Sequence, residues 1–215
     1  MGPALQLPIL RHVRWEGLPA FVPQPVKVDP ILRRRLSPQG RLALALAETC
    51  LGDLASARTI FASRHGELAR THGLIEALRP ESPDDPSPSA FTLSVLNSTP
   101  AVISIARKDT APSSAVSAGP VTAWMGLMEA ALLRQESGDP VLYLSSDAPV
   151  PPVFLHGKEE LVPLRALGAL LGTGGDSWEL LPGDWTPGVG DGLLALASAF
   201  EAGGGAWGGW SLRRR

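Results

Sequence analysis

Residues 113–126, SSAVSAGPVTAWMG, place a strand-like run directly before a Gly-Pro turn and a stretch with helical spacing. The run before the turn consists of small and β-branched residues, whereas Val121, Trp124 and Met128 recur at intervals of three and four. A strand that passes sharply into a helix is typical of layered α/β folds. Many enzymes present a nucleophile at such a corner, but this corner holds Gly119 and Pro120.

Other segments extend the α/β pattern on both sides of the corner. A helix is predicted from Ser37 to Gly52, because serine caps free helix amides and Pro38 fits the first turn. Residues 89–107 are expected to form a helix that Pro100 kinks or splits. The remaining predictions are strands at 56–67, 141–150, 165–172 and 178–184, and helices at 67–78 and 192–202.

The two ends of the chain are expected to be less regular. Residues 1–37 contain six prolines and predict a strand or two within extended coil. The glycine-rich residues 203–215 are predicted to loosen into an arginine-rich tail. The cluster 33–35, three arginines, is interpreted either as a solvated surface before the helix or as a contact for an acidic carrier protein.

Composition narrows the classes of function. The 215 residues are expected to form a single domain, and the formal net charge of −2 gives no electrostatic case for binding nucleic acid or an anionic membrane. With only one cysteine there is no intrachain disulfide and no cysteine zinc site, and Cys50 is predicted to be a buried core residue. No apolar run reaches the ~20 residues of a membrane span, and no targeting segment is visible. We therefore expect a cytoplasmic protein without cofactor or metal.

Residues 56–150 resemble a known enzyme family. Five segments carry the resemblance: FASRHGEL (61–68), SPSAFTLSVLNSTPAVISIAR (87–107), APSSAVSAG (111–119), EAALL (129–133) and DPVLYLSSD (139–147). They are similar to the N-terminal half of β-ketoacyl synthases, which have a thiolase-like layered α/β fold. The resemblance is closer to chain-length factors of type II polyketide systems, and closest to the short ketosynthase-like proteins of aryl polyene gene clusters.

The resemblance implies a scaffold without the family's catalytic residues. In a ketosynthase the corner holds a cysteine, whose thiolate is favoured at a helix N-terminus and accepts an acyl group from a carrier-protein thioester. That position corresponds to Pro120, which has no nucleophilic atom. Two histidines belong to the C-terminal half of ketosynthases, and the chain is expected to end before such a half. We therefore expect that this chain has no condensing activity and is not an enzyme.

The resemblance also implies a partner. We expect a chain-length-factor-like subunit that forms a heterodimer with an active β-ketoacyl-ACP synthase in aryl polyene, type II polyketide or fatty-acid-like biosynthesis, with an acyl carrier protein as a further partner. In this family the strand before the corner pairs across a dimer axis, and the preceding helix lines the interface and the acyl tunnel. The candidate interface and tunnel residues are Phe91, Val95, Leu96, Asn97, Ser113, Ser114, Ala115, Val116 and Ser117.

Several alternatives stay open at this point. Phe91 and Val95 are alternatively ordinary core residues, and Asn97 alternatively satisfies backbone groups at the kink. The protein is alternatively a solitary scaffold without a role in chain length.

A serine hydrolase would use Ser117 with His156, although the first glycine of the G-x-S-x-G pattern is missing. Ser63, His65 and Glu67 would share one face of a strand, and His65 with His72 is a weak metal pair.

Overall fold

A mixed sheet of eight strands forms the centre of the protein in a computed structural model that describes residues 4–26, 28–82, 85–155, 163–183 and 191–215. The spatial order of the strands is β3-β2-β4-β5-β1-β6-β8-β7, with β2 parallel to both β3 and β4 and every other pair antiparallel. The strands are β1 (Leu5–Gly17), β2 (Arg58–Ala62), β3 (Ser113–Val116), β4 (Val141–Asp147), β5 (Leu164–Leu171), β6 (Asp176–Pro182), β7 (Gly204–Trp207) and β8 (Trp210–Arg214).

Seven α-helices are described around this sheet. The longest helices begin and end where their local sequence directs: the Ser37 hydroxyl accepts a hydrogen bond from the Gly40 amide at the start of α2, and Gly138 ends α6 with a positive φ of 72°. The helices are α1 (Pro30–Arg35), α2 (Pro38–Leu51), α3 (Leu68–Ala77), α4 (Pro88–Thr92), α5 (Ser98–Arg107), α6 (Thr122–Ser137) and α7 (Gly192–Ala202).

Two apolar clusters cover the two faces of the sheet. Helices α6 and α7 pack on the first face, and α2 and α5 pack on the second. Neighbouring strand residues alternate between the clusters, with Ile60 in the first and Phe61 in the second, as the two-residue period of a strand requires. On the first face a Cβ atom added to Gly126 of α6 would lie 2.6 Å from the Ala62 Cβ, so glycine permits a close approach of helix and sheet.

Most predicted elements are confirmed. The α/β class, the start of α2 at the Ser37-Pro38 pair, the strand before the Gly-Pro corner and the helix after it all agree with the structure. Strand β5 is confirmed as well, and residues 172–175 form the turn into β6. The single cysteine is buried in the second cluster, with only 1% of Cys50 exposed.

The prediction for the N-terminal region was wrong in part. Residues 33–35 belong to a short helix, α1, which Asp29 caps by accepting hydrogen bonds from the Ile31 and Leu32 amides. A proline at the first helical position completes this start signal. The arginines therefore form the last turn of a helix, where positive side chains interact favourably with its carbonyl end.

The predicted helix at 89–107 is split, but the break does not lie at Pro100. Helix α4 ends at Thr92 and α5 begins at Ser98, so residues 93–97 form the break. Pro100 occupies the first turn of α5, where the backbone N–H it lacks would have had no helical partner.

The predicted C-terminal tail is instead a β-hairpin. Strands β7 and β8 pair through a turn at Gly208 and Gly209, both with positive φ, and β8 also pairs with β6. The side chains of Arg213 and Arg215 reach the carboxylate of Glu179 on β6, which also accepts a hydrogen bond from the Gln6 amide. The arginines therefore fasten the last strand to the sheet.

Candidate functional site

The corner between β3 and α6 has a defined geometry. Gly119 has a φ of 58°, which favours glycine, and a short 3-10 turn over 119–121 leads into α6. The Thr122 hydroxyl oxygen accepts a hydrogen bond from the Ala118 amide (2.8 Å) and donates one to the Gly119 carbonyl (2.7 Å), closing the corner. Gly119 and Pro120 are exposed, so the corner presents its tip to solvent.

The corner lies where the sheet connections diverge. Strands β2 and β3 are adjacent and parallel; the chain leaves β2 toward α5 on the second face and leaves β3 into α6 on the first face. In open α/β sheets, ligands commonly bind in the crevice outside the carboxyl ends of two such strands. The two loops meet there, because the Ser117 hydroxyl donates a hydrogen bond to the Arg64 carbonyl at 3.2 Å.

No cysteine supplies a nucleophile at this place. The chain has one cysteine, Cys50, which packs in the second cluster on α2. Burial raises the pKa of the Cys50 thiol to about 12, so the thiol is neutral and inert at neutral pH. Pro120 itself carries neither a nucleophilic atom nor a backbone N–H.

Ser117 is not arranged as a hydrolase nucleophile. Its hydroxyl donates to a backbone carbonyl, whereas a serine nucleophile donates to the general base that activates it. The histidine predicted as that base, His156, lies outside the described residues.

The trio Ser63, His65 and Glu67 does not lie on a strand, because β2 ends at Ala62. Each residue has its own partner: the Ser63 hydroxyl donates to Asp147, the His65 backbone amide contacts Asp147, and Glu67 accepts a hydrogen bond from Ser37. The prediction that the three share one strand face was therefore wrong.

Asp147 is a central group at the carboxyl edge of the parallel strands, and the sequence analysis did not identify it. It is the last residue of β4, and its Oδ1 accepts hydrogen bonds from the Ser63 hydroxyl and from the backbone amides of Arg64 and His65. Burial raises the pKa of Asp147 to about 6, although these neutral donors act in the opposite direction. A signal was present, since Asp147 is the only acidic residue of the buried strand it ends.

The candidate residues of the α4–α5 segment divide into outward and inward side chains. Phe91 is 66% exposed and Val95 45% exposed, so the alternative that both are core residues is wrong. Leu96 points inward, packing against the second cluster. Asn97 is exposed and makes no capping hydrogen bond at the start of α5, so it does not satisfy the backbone there.

The candidate residues of β3 lie at an edge of the sheet. Strand β3 pairs with β2 on one side and with no strand among the described residues on the other. Ser113 and Ser114 are exposed, whereas Ala115 and Val116 are half-buried and pack against the second and first clusters. Unpaired edge strands present backbone donors and acceptors to any further strand.

The structure gives no support to metal binding by the predicted histidines. His72 stacks edge-on against Phe154 with ring centroids 5.5 Å apart, and its Nδ1 lies 3.7 Å from a Glu76 oxygen. Within the described ranges, no group of three or more His, Cys, Asp or Glu residues is placed to hold a metal ion. In the same ranges no helix has both the length and the apolar character that crossing a membrane requires.

Comparison with known proteins identifies relatives of this arrangement. A family model for the β-ketoacyl synthase N-terminal domain matches residues 13–186. A search of curated protein sequences gives no match.

Solved structures share the fold. A chain from the complex of the ketosynthase ApeO with its chain length factor ApeC from Xenorhabdus doucetiae aligns with a TM-score of 0.78 and 24% identity, covering 98% of this chain and 100% of that one. The ishigamide ketosynthase/chain length factor aligns with a TM-score of 0.59 and 14% identity, covering 80% of this chain and 56% of that one. The oxazolomycin ketosynthase domain OzmH KS7 from Streptomyces albus JA3453 gives 0.52 and 15%, covering 79% and 36%. This chain thus spans about half the length of the ishigamide chain and about a third of the length of the OzmH KS7 chain.

Proposed function

Since this chain belongs to the β-ketoacyl synthase N-terminal domain family, we propose that it is a non-catalytic, chain-length-factor-like subunit that forms a heterodimer with an active β-ketoacyl-ACP synthase. Its fold is the thiolase-like α/β fold of that domain. The observation that carries the proposal is the corner: strand, turn and helix are arranged to present a nucleophile, yet Pro120 occupies the exposed tip. In this proposal the corner contributes to the shape of the protein surface and takes no part in a chemical reaction.

The surface beside the corner supports a pairing role. The open edge of β3 provides backbone groups for a partner strand, and the small side chains of Ser113 and Ser114 permit close approach. Exposed apolar side chains on α4, α5 and the break between them, Phe91, Val95 and Ile105, provide area that a partner can bury. A solved relative of this fold comes from a complex of a ketosynthase with its chain length factor, which agrees with this role.

The contribution to synthesis is geometric. Phe91 and Val95 would form part of the wall of an acyl tunnel shared with the ketosynthase, and the space they leave would limit the length of the growing chain. We assign the pair to aryl polyene or related polyketide or fatty-acid-like synthesis in the cytoplasm.

An acyl carrier protein is the proposed second partner. The three arginines at 33–35 end α1, and the Arg70 guanidinium donates a hydrogen bond to the Arg35 carbonyl, which holds this turn against α3. A basic cluster fixed on the surface is suited to an acidic carrier, because opposite charges steer association.

Co-expression tests the pairing. The chain is produced with each full-length β-ketoacyl-ACP synthase of its source organism, and native mass spectrometry measures the assembly. We expect a one-to-one heterodimer that Phe91→Glu weakens and that Phe21→Glu, a charge placed on another exposed phenylalanine, leaves intact. A chain that stays monomeric with every synthase overturns the proposal.

Two further readouts separate the alternatives. Val95→Trp in the reconstituted pair should shorten the product, whereas an unchanged product length in an intact heterodimer supports a scaffold without a chain-length role. The isolated chain is also incubated with an acyl-carrier thioester. Covalent acylation of any residue contradicts a non-catalytic role.

A further inference from the structure

The loop that follows β2, residues 63–66, is held by a carboxylate of β4. The Oδ1 atom of Asp147 accepts hydrogen bonds from the Ser63 hydroxyl (2.9 Å), the Arg64 amide (2.8 Å) and the His65 amide (3.4 Å). The two amides lie beyond the end of β2, so one carboxylate oxygen serves them as the acceptor that a neighbouring strand would otherwise supply.

The Ser63 hydroxyl ties this loop to the interior of the protein. Ser63 is fully buried; its hydroxyl donates to Asp147 and accepts hydrogen bonds from the Gln39 Nε2 atom of α2 (3.2 Å) and from the Gly66 amide (2.9 Å). A hydroxyl has one hydrogen to donate and two lone pairs, so its full capacity is used. Of these three partners only Asp147 is an acceptor, and it therefore fixes the direction of the hydroxyl.

The same loop contacts both parts of the surface proposed for pairing. On one side, the Arg64 carbonyl accepts a hydrogen bond from the hydroxyl of Ser117, which directly follows β3. On the other side, Gly66 lies against the break between α4 and α5: a Cβ atom added to Gly66 would lie 3.4 Å from the Leu96 Cδ1 and 4.0 Å from its Cα. The corner after β3 and the α4–α5 break are therefore both placed by one short loop.

We propose that Asp147 is a positioning residue for the pairing surface, because by holding the loop 63–66 it sets the place of the β3–α6 corner relative to the α4–α5 break. The inference rests on the proposed function and deepens it, since Asp147 lies half-buried on β4 and belongs to neither of those parts. Surface segments that are already fixed in the free protein lose less conformational freedom on association, so the positioning strengthens pairing.

Amide hydrogen exchange of the isolated full-length chain, followed by NMR, tests the positioning without a partner. Two amides report on the two parts: the Ala118 N–H donates to the Thr122 hydroxyl in the corner, and the Ser98 N–H donates to the Val95 carbonyl at the break. We expect Asp147→Ala to raise both exchange rates about tenfold, and Asp147→Asn, which keeps an oxygen acceptor, to return both to within about twofold. An unchanged rate at either amide in Asp147→Ala overturns the proposal, and equal rates in Asp147→Asn and Asp147→Ala contradict the role of the acceptor.

Two further variants separate positioning from general stability. Leu212→Ala, in the core near the opposite end of the sheet, destabilises the whole fold but should leave the local exchange of Ala118 and Ser98 unchanged. Both rates rising there as much as in Asp147→Ala would show that they report stability alone and would contradict the proposal.

Ser117→Ala removes an exposed hydroxyl and breaks only the link from the loop to the corner. It should raise the exchange rate of Ala118 and leave that of Ser98 unchanged. This variant keeps the test decisive if Asp147→Ala does not fold, because an unchanged Ala118 rate contradicts the link between loop and corner.

Association with the ketosynthase tests the consequence for pairing. At a temperature where every variant is folded, interferometry should show about tenfold weaker binding by Asp147→Ala, and nearly unmodified binding by Asp147→Asn and Leu212→Ala. Unchanged affinity of Asp147→Ala, with its exchange rates raised, overturns the role in pairing. If the unmodified chain binds no synthase, the proposed function fails, whereas the exchange rates still decide whether Asp147 positions the two parts.

Discussion

Asp147 and Glu179 are both acidic residues of the central sheet, but the protein holds them in opposite ways. Asp147, at the end of β4, accepts hydrogen bonds from neutral donors, and burial raises its pKa to about 6. Glu179, on β6, is 1% exposed beneath Gln6, Arg213 and Arg215, and the hydrogen bond from Gln6 together with those from the two arginines lowers its pKa to about 2.

The edges of the sheet differ in the same way. At the β7–β8 end, charge pairing fastens the last strand, whereas at the β3 end a short strand has an open side next to the corner. The edge beside the candidate site therefore offers unpaired backbone groups, whereas ion pairs hold the strand at the opposite end of the sheet.

The largest expected difference between the β8 end and the β3 end of the sheet is the free energy of unfolding that is lost when a packed side chain is shortened. Leu212→Ala on β8 removes a side chain that is almost fully buried and should lower the free energy of unfolding by about 2–5 kcal/mol. Val116→Ala on β3, where valine is half-buried, should cost about 1 kcal/mol. Urea unfolding followed by tryptophan fluorescence measures both, and an equal or reversed order would break the comparison.

The next effect is the pH dependence that Asp147 causes. Its folded-state pKa of about 6 lies above its ordinary 3.8, so the folded state binds this proton more tightly than the unfolded state does. The resulting stabilisation is complete below pH 3.8 and is lost as the pH rises through 6, a change of about 3 kcal/mol.

Asp147→Asn keeps an acceptor for Ser63 and removes the titration. Unfolding free energies of the variant, measured from pH 4 to pH 7, should lack that decline relative to the unmodified chain. The same slope in both proteins would show that another group causes it.

A smaller effect is expected at the open edge. The carbonyls of Pro112 and Val116 accept from β2, and the alternation of a parallel ladder therefore turns the Ala115 N–H away from β2. Ala115→Pro removes that outward donor and should weaken binding of the ketosynthase about tenfold, or 1.4 kcal/mol. Association is measured by interferometry, with the unfolding midpoint as the control for folding. Unchanged affinity argues against pairing through this edge.

The smallest expected effect is at the arginine-held end. Glu179→Gln removes the charge that faces Arg213 and Arg215 and should lower Tm by a few degrees at pH 7. Because the pKa is depressed, this contribution is present above pH 4.5 and is lost as the pH falls toward about 2. Glu129→Gln, on the exposed side of α6, is the matched control. A difference that persists at pH 2 contradicts the charge-pairing explanation.

Local signals predicted the elements that local chemistry determines. The Ser37-Pro38 start of α2 and the Gly-Pro corner were readable because capping and turn residues act within a few positions. The C-terminal hairpin was missed because its glycines have no strand preference of their own. Pairing of β8 with β6 and the bonds from Arg213 to Glu179 supply what the local sequence lacks.

The candidate site was predictable to a similar extent. Phe91 and Val95 were singled out by the resemblance to the family, which carries tertiary information, and both are exposed. The network that joins Gln39, Ser63 and Asp147 could not be predicted from spacing, because its members are brought together from three separate segments.

Strand β1 lies inside the sheet and pairs with β5 and β6, with Ile9 opposite Leu171. A nascent chain therefore emerges with its first strand unable to find either neighbour until most of the remaining sequence has left the ribosome. Long-range pairing of this kind slows folding and leaves the apolar side chains of β1, such as Leu7 and Ile9, exposed meanwhile. Strand β1 thus joins the sheet only after β5 and β6 have been synthesised, and of the described strands only β7 and β8 come later in the chain.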